Sequence, residues 1–397
     1  MTFPRRRWLG ATALGSLLAA CKRTAPVADE GPRLLGATVR AYGERSAFET
    51  AKRSLDEDRF LEASQTRTPL GESVGILTPS SLHYERHHSG VPRIDPAQHR
   101  LLIHGMVDRP TIFTMEDLRR LPSVSRIHFL ECSGNSGAEW GAKPAPTAQL
   151  GHGLASCSEW TGVPLALLLA EAGVQPGAKW VMAEGADACK MARSLPIAKA
   201  MDDILVAWGQ NGEALRPEQG YPLRLFVPGW EGNVNVKWLR RILVSDAPVM
   251  ARDETAKYTD LMPDGTARMF TFAMEAKSLI TYPSGGQQVK PGFCEITGLA
   301  WSGAGTIRRV EVSMDGARTW TDAALQLPVL SKAFTRFRLP WKWDGAACEL
   351  QSRCTDESGY VQPAKEALAA VRGEKSTYHY NGIKAWKIGA DGSVSHV

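Results

Sequence analysis

The chain has 397 residues, of which 43% are hydrophobic and 22% are charged. It is long enough for two domains with separate cores, and this composition excludes a fibrous or largely disordered protein. The formal net charge is +5, but Arg5, Arg6 and Arg7 lie in a segment that we expect to be removed, and without these three charges the net charge is +2. This balance gives no argument for a nucleic-acid partner, and none is predicted.

The first residues have the pattern of a twin-arginine export signal, predicted over residues 1–28. Arg5 to Gly10 precede an apolar run, Ala11 to Ala20, that is far too short to span a bilayer. Twin-arginine export carries folded proteins, typically because a cofactor is inserted in the cytoplasm first. Leu18 to Cys21 also fits a lipoprotein cleavage box, so a lipid anchor at Cys21 and simple cleavage a few residues later both stay open. Either way, we predict a periplasmic protein.

The other six cysteines contain no C-x-x-C pair, which excludes a C-x-x-C-H haem attachment site and a zinc ribbon. Cys348 and Cys354 lie six residues apart on one predicted strand, and an extended chain would separate them by about 20 Å. This separation is beyond the reach of a disulfide, so we expect two free thiols.

After a polar lead-in over residues 29–70, the chain becomes strand-like from residue 82. In an extended backbone Tyr84, Arg86 and His88 would share one face, which gathers cationic and hydrogen-bonding groups. His83, His87 and His88 could instead be a metal cluster, but no H-E-x-x-H spacing or companion carboxylate supports that reading.

Cys132 stands at the end of a predicted strand. The alternating stretch from Arg126 leads into it, and the tight polar turn Ser133 to Asn135 follows. The thiol therefore lies at the mouth of a loop, where Gly134 lets the backbone come close to whatever the sulfur holds. A thiolate suits a soft metal, and the alternative is an ordinary buried cysteine at a strand end.

The flanking segments predict a mixture of short helices and strands. A capping box at Thr114 to Asp117 opens one helix, and Leu165 to Ala172 form a buried second helix after Pro164. Arg224 and Lys237 are single cations in otherwise apolar segments. Two cations placed in this way suit a bound phosphate, although they could also lie on solvated strand edges.

From about Met269 the pattern changes to short alternating strands separated by turns. The clearest are residues 293–301, 307–314, 334–339 and 348–354, and Asp315-Gly316 is a hairpin turn. The pattern predicts a small antiparallel sandwich. Since no obvious chemistry falls in it, a structural or dimer-forming role is favoured.

Six motifs in this order resemble the sulfite oxidase family of molybdopterin enzymes. They are Tyr84 to His88, Glu131 to Asn135, Trp160 to Gly162, Glu184 to Asp187, Gly220 to Arg224 and Val236 to Leu239. Val312 to Gly316 with Thr319-Trp320 resembles the dimerisation domain of that family. The resemblance implies an α+β protein, with a mixed α/β molybdopterin domain over 71–262 and an all-β immunoglobulin-like sandwich over 263–397.

The resemblance also implies roles for single residues. Cys132 would be the protein thiolate on molybdenum, with a pterin dithiolene and oxygens as the other ligands. Contacts with the cofactor are implied for Tyr84, Arg86, His88, Asp187, Gln219, Arg224, Asn235, Val236 and Lys237, with Gln219 standing where the family has a histidine. Tyr258, Arg86 and Arg372 would be the catalytic residues, and arginine suits an anionic sulfur substrate in a partly desolvated site.

Two departures from the family affect the substrate. Gly137 stands where sulfite oxidases usually carry an arginine, and Leu150 to Gly153 replace a segment that usually contains a tryptophan. Both changes should open the pocket and make it less suited to free sulfite. This chain also contains no haem-binding segment, so the electrons must leave to another protein.

The resemblance and its departures imply an exported enzyme with a molybdenum-molybdopterin cofactor. Its substrate would be sulfane sulfur on a carrier-protein cysteine during thiosulfate oxidation, with oxygen from water, electrons passed to a c-type cytochrome subunit and a homodimer formed through the C-terminal domain. The alternatives are a free-sulfite dehydrogenase and a non-enzymatic periplasmic scaffold or adhesion protein. A sulfoxide reductase of the same superfamily fits poorly, because those proteins generally lack the sandwich.

Overall fold

The computed structural model describes residues 36–56, 60–374 and 376–397. The predicted export signal and Cys21 lie outside the described residues. The chain divides into two units, residues 1–50 and 51–397. In the first unit, residues 36–50 are exposed and form turns and bends without a helix or strand. The second unit contains every element described below, and the predicted boundaries at residues 71 and 263 stay predictions.

The N-terminal part of the second unit contains thirteen strands and five short helices among the described residues. The strands are β1 (Ser54–Leu55), β2 (Gln65–Arg67), β3 (Glu85–Arg86), β4 (Arg100–Gly105), β5 (Thr111–Thr114), β6 (Val124–Glu131), β7 (Ala155–Pro164), β8 (Trp180–Gly185), β9 (Ala192–Pro196), β10 (Leu205–Gln210), β11 (Glu213–Ala214), β12 (Arg224–Phe226) and β13 (Leu239–Ser245). The helices are α1 (Met115–Arg120), α2 (Ala148–His152), α3 (Leu165–Ala172), α4 (Ile197–Ala200) and α5 (Arg252–Thr255).

Two five-stranded sheets dominate this part. One has the order β11-β10-β7-β6 with β12 also paired to β10, and all its pairs are antiparallel. The other has the order β5-β4-β13-β8-β9, and only β4 and β13 run parallel. Both sheets share a core with α3, which buries Leu165, Leu168 and Leu169 completely. Each such leucine contributes about 1.5–3 kcal/mol by leaving water.

Two predicted local elements are confirmed here. The capping box is complete at the start of α1, because the Thr114 hydroxyl accepts from the Asp117 N–H and the Asp117 side chain accepts from the Thr114 N–H. The strand before Cys132 is β6, which pairs with β7 over its whole length. The Cys132 N–H continues this pairing to the Leu154 carbonyl at 2.9 Å, and the Asn135 N–H then closes the turn on the Cys132 carbonyl at 2.9 Å.

The C-terminal part contains the predicted sandwich and a separate two-stranded sheet. Its strands are β14 (Asp260–Leu261), β15 (Ala267–Arg268), β16 (Lys277–Tyr282), β17 (Gly292–Trp301), β18 (Ile307–Ser313), β19 (Thr321–Asp322), β20 (Ala324–Leu325), β21 (Thr335–Trp343), β22 (Cys348–Asp356), β23 (Ala385–Ile388) and β24 (Val394–His396), and its helix is α6 (Lys365–Arg372). One sheet has the order β16-β17-β21-β20 and the other β19-β18-β22-β23-β24. Cys348 and Cys354 on β22 are both free, as predicted.

The sandwich core is continuous with the N-terminal part. Trp301, Phe337 and Trp386 are fully buried in the sandwich, and the same cluster includes Phe129 of β6 and Ala155 of β7. The strand that leads to Cys132 therefore packs directly on the C-terminal domain. In the described part of the chain, no helix is long and apolar enough to cross a membrane.

Candidate functional site

Two cavities meet at Cys132. The first has a volume of about 70 Å³. Its wall contains Cys132 and Tyr258 together with all the predicted cofactor-binding residues, Tyr84, Arg86, His88, Asp187, Gln219, Arg224, Asn235, Val236 and Lys237. The second has a volume of about 560 Å³. Arg86, His88, Cys132 and Tyr258 line both cavities, so the two share one wall.

Cys132 is only partly covered by protein at this junction. A Cβ at Gly134 would lie 3.9 Å from the Cys132 sulfur, so the glycine leaves that side of the sulfur open. The backbone of Gly232 lies even closer to Cys132 and its neighbours. A Cβ at Gly232 would lie 3.0 Å from the Tyr84 hydroxyl and 3.1 Å from the Cys132 Cα. Burial raises the pKa of the Cys132 thiol. A neighbouring metal cation would supply the charge that a thiolate needs in this position.

Arg224 is a buried cation in the wall of the first cavity. Its guanidinium donates to the Gln219 carbonyl at 2.9 Å and the Asn235 carbonyl at 3.2 Å, and it lies 4.8 Å from the centre of the Trp160 ring. The buried Nε has no hydrogen-bond partner in the structure. Burial lowers the pKa of Arg224 to about 10. A charged donor with an orphaned N–H indicates that an anion belongs beside it.

Lys237, which is half-buried, is the second cation of this cavity. Its ammonium donates to the carbonyls of Arg86 and Glu218, both at 3.1 Å, and to His87 Nδ1 at 2.8 Å. Burial and the nearby Arg224 charge lower the pKa of Lys237 to about 7. The donor set of the first cavity, two desolvated cations beside an accessible thiol, fits a metal cofactor that carries an anionic group.

Tyr84, Arg86 and His88 all line the first cavity, in agreement with their predicted common face, and His87 lines it with them. β3 covers only Glu85 and Arg86, and His87 beyond it also contacts Lys237. Its Nε2 is paired with Glu85 Oε2 at 2.7 Å. The metal-cluster reading of these histidines also finds no support, since no group of three or more His, Cys, Asp or Glu side chains in the described ranges is placed to hold a metal ion.

His88 and Tyr258 form a hydrogen-bonded pair where the cavities meet, with 2.7 Å between His88 Nε2 and the Tyr258 hydroxyl. Burial and the charge of Arg86 lower the pKa of His88 to about 4, so its ring is neutral at pH 7. Burial raises the pKa of Tyr258. The Tyr258 backbone is left-handed, with φ of 53°, and Arg193 lies 5.1 Å from its ring centre. Strain of this kind in a non-glycine residue is typical of functional sites.

Arg372 lies outside both cavity linings. It is the last residue of α6 and is 2% exposed. Its Nη2 donates to Glu275 Oε2 at 2.8 Å, and its Nη1 is 3.7 Å from Asp260 Oδ2. The charge of Arg372 is therefore occupied by two carboxylates, and its substrate-binding role stays a prediction from the resemblance.

The second cavity contains cations that the sequence reasoning missed. Arg67, Arg252 and Lys257 line it beside Arg86. Arg252 and Lys257 are exposed, and neither forms an ion pair with any residue in the described ranges. Arg252 lies in a one-turn helix and Lys257 follows it, and neither belongs to a sequence pattern that predicts a binding site. Gly137, Leu150 and Gly151, at the predicted departures from the family, line the same cavity.

This fold and site define a molybdopterin oxidoreductase. Residues 88–252 match the family model described as "Oxidoreductase molybdopterin binding domain", and residues 268–385 match "Mo-co oxidoreductase dimerisation domain". The chain belongs to the sulfite oxidase family of molybdopterin enzymes. It is similar to the sulfane dehydrogenase SoxCD from Paracoccus pantotrophus, with 48% sequence identity, a TM-score of 0.90, and coverage of 92% of this chain and 95% of that chain.

More distant relatives carry other names. The sulfite oxidase of Gallus gallus is 32% identical over 328 residues, which cover 76% of this chain and 72% of that protein. The NADH nitrate reductase of Ulva prolifera is 31% identical over 334 residues, which cover 73% of this chain but only 38% of that protein. The chain therefore spans well under half of the length of the nitrate reductase.

A molybdopterin cofactor fits the residues present. Cys132 would supply the thiolate ligand, and Arg224 and Lys237 would hold anionic groups of the cofactor in the first cavity. When bound, the molybdenum centre supplies two-electron redox chemistry with transfer of an oxygen atom. Two other side chains of the wall are fixed by hydrogen bonds to the backbone. Gln219 Nε2 donates to the Tyr84 carbonyl at 2.8 Å, and Asn235 Oδ1 accepts from the Val227 N–H at 2.7 Å.

Proposed function

We propose that this protein is an exported molybdenum-dependent oxidoreductase that oxidises the sulfane sulfur on a carrier-protein cysteine during thiosulfate oxidation. The observation that carries the proposal is the likeness to the sulfane dehydrogenase SoxCD at 48% identity over 92% of the chain. For each oxygen atom added to sulfur, one water molecule supplies the oxygen and two protons and two electrons are released. A c-type cytochrome subunit accepts the electrons one at a time.

The shape of the second cavity supports a substrate that is attached to a protein. Its volume of about 560 Å³ far exceeds what a four-atom anion fills. Its lining includes Gly134, Gly137 and Gly151, whose lack of side chains leaves room for a chain-borne group. At the rim, Arg252 and Lys257 are exposed cations that suit the negative charge of an oxidised sulfur or of an acidic carrier surface.

Tyr258 and His88 orient the substrate in this proposal. Because burial raises the pKa of Tyr258, its phenol keeps its proton and can donate a hydrogen bond to an anionic sulfur-oxygen group. The neutral His88 then donates its Nε2–H to the phenol oxygen, which fixes the direction of that donation. Arg86, which lines both cavities, adds a cation on the same wall.

A free-sulfite dehydrogenase is the second candidate. The relative from Gallus gallus named sulfite oxidase favours it, and so do the cations Arg67, Arg86, Arg252 and Lys257 around the second cavity. A cysteine persulfide on a small carrier protein and free sulfite would be compared as substrates, with horse-heart cytochrome c or ferricyanide as acceptor and nitrate as a negative control. The proposal expects kcat/KM for the carrier to exceed that for sulfite by at least about tenfold.

Equal or better use of sulfite would establish the second candidate. Molybdenum analysis of the purified protein decides whether it is a molybdenum enzyme, since a scaffold or adhesion protein would contain no stoichiometric metal.

Export and dimer formation are part of the same proposal. Conversion of Arg5 and Arg6 to lysine should retain the precursor in the cytoplasm, and sedimentation of the mature protein should give twice the monomer mass.

A further inference from the structure

The loop after Cys132 is tied to the sandwich domain by a buried lysine. Lys277, the first residue of β16, donates to Glu131 Oε1 at 2.9 Å and to the Ser136 hydroxyl at 2.7 Å. Trp301, the last residue of β17, donates from its indole to Glu131 Oε2 at 2.6 Å. Glu131, directly before Cys132, is 1% exposed and Lys277 is 2% exposed. Both oxygens of this carboxylate are thus held by residues of the C-terminal domain.

A second buried lysine holds the far end of the same loop. Lys384, directly before β23, donates to both oxygens of Glu139 at 3.2 and 2.9 Å. The two attachments are linked, because the Ser136 hydroxyl lies 2.6 Å from His152 Nδ1. On the other side of its ring, His152 Nε2 lies 3.7 Å from Glu139 Oε1.

The loop needs such support because its own backbone does not define one conformation. It contains Gly134 and Gly137, and Ser136 has a left-handed backbone with φ of 64°. Within the loop, the Asn135 side chain donates to Glu131 Oε1 at 2.8 Å, so the turn depends on where that carboxylate is held. A buried carboxylate that loses its only cation is strongly destabilised.

We propose that Lys277 and Lys384 are positioning residues for the Cys132 thiolate, and that the sandwich domain is part of the metal site as well as a dimerisation domain. The two ammonium groups fix both ends of the loop 131–139 and thereby the direction in which the Cys132 sulfur faces the cavities. This inference rests on the proposed role of Cys132 as the metal ligand. Neither lysine lines a cavity, so both act through the loop.

The first test needs no metal. In full-length protein produced without molybdopterin, the rate of Cys132 alkylation by iodoacetamide would be followed by peptide mass spectrometry, with the partly exposed Cys189 as internal reference. Lys277→Met frees the loop, and the relative rate at Cys132 should rise by about tenfold or more, because movement of the loop exposes the partly covered sulfur more fully. Lys277→Arg should stay close to wild type, because it keeps the charge and the donors.

Lys332→Met is the matched control. Lys332 also joins the sandwich to the N-terminal part, through Asp203 at 2.6 Å, but its side chain does not touch the loop. This variant should leave the ratio of Cys132 to Cys189 alkylation unchanged. Should Lys277→Met fail to fold, the double variant Glu131→Gln/Lys277→Met removes the unpaired charge, and it should fold while keeping the raised ratio because Ser136 has still lost its donor.

The loaded enzyme gives a second readout. Lys277→Met and Lys384→Met should retain molybdenum but shift the thiolate-to-metal absorption band and lower kcat, with KM changed less than twofold. An alkylation ratio and an absorption band that both match wild type in the folded variants would overturn the inference. If the wild-type protein binds no molybdenum, the proposed function fails, and the alkylation ratios still decide whether the lysines hold the loop.

Discussion

Gly137→Arg tests the proposed substrate preference at the point where this chain departs most from sulfite oxidases. Gly137 lines the second cavity beside Cys132, and its backbone is not in the left-handed region. A Cβ at this position would lie 3.1 Å from the Thr377 carbonyl oxygen, so a side chain fits after a shift of a few tenths of an ångström. The remainder of an arginine side chain then has a cavity of about 560 Å³ to occupy.

The added guanidinium supplies one charge-assisted hydrogen bond to a small anion in the cavity. Such a bond contributes about 1.5–3 kcal/mol, which corresponds to roughly a ten- to hundredfold tighter interaction. We therefore expect KM for sulfite to fall by about that factor. The same side chain occupies space that a carrier-borne sulfur needs, so kcat/KM for a carrier persulfide should fall by at least about tenfold.

The assay is steady-state oxidation of each substrate with a cytochrome c acceptor. Gly137→Ala isolates the contact with the Thr377 carbonyl, and Gly137→Met fills the cavity without charge. The arginine variant should improve sulfite use while both controls do not. The reasoning is refuted if Gly137→Arg leaves both substrates unaffected, or if Gly137→Met improves sulfite use to the same extent.

Three further predictions concern single residues. Cys132→Ser should fold and dimerise but lose activity and the thiolate-to-metal absorption; an unchanged spectrum would refute the ligand assignment. Arg372→Gln leaves buried Asp260 without its cation, so we expect urea unfolding to show a loss of about 3 kcal/mol with little change in KM, whereas a raised KM at unchanged stability would restore the substrate-binding role. Burial lowers the pKa of Lys237 from its ordinary 10.5 to about 7, so between these values the unfolded chain holds more protons and the cofactor-free protein gains stability as pH rises. The slope of the unfolding free energy against pH is proportional to the difference in bound protons, so Lys237→Met should reduce this slope by the equivalent of up to one proton. Equal slopes for the two proteins would contradict the prediction.

The fold could be predicted where its signals were local. The capping box of α1, the strand that ends at Cys132 and the alternating strands of the sandwich are each determined by residues adjacent in the chain. Tyr84, Arg86 and His88 line one cavity as predicted, but β3 is only two residues long and His87 lines the same cavity. Sequence alternation predicts side-chain direction only as far as the strand continues.

The residues that line the first cavity were predicted from motifs in a fixed order along the chain. The lysines that hold the Cys132 loop and the exposed cations of the second cavity were not predicted. Lys277 and Lys384 look like ordinary strand lysines, because their partner carboxylates are far away in the chain. Arg252 and Lys257 belong to no motif, and their importance comes only from the cavity that they border. Conversely, Arg372 matched a family position, but its neighbours Asp260 and Glu275 engage its charge in this structure.

The lysine attachments also determine when in the life of the chain the metal site can form. Lys277 follows Glu131 by 146 residues, and Lys384 follows Glu139 by 245 residues. During synthesis the buried carboxylate of Glu139 therefore has no lysine partner until the chain has been made almost to its last strand. Cofactor loading is then a step of the finished chain, and a product truncated before β23 should release its N-terminal part to proteolysis without having acquired metal.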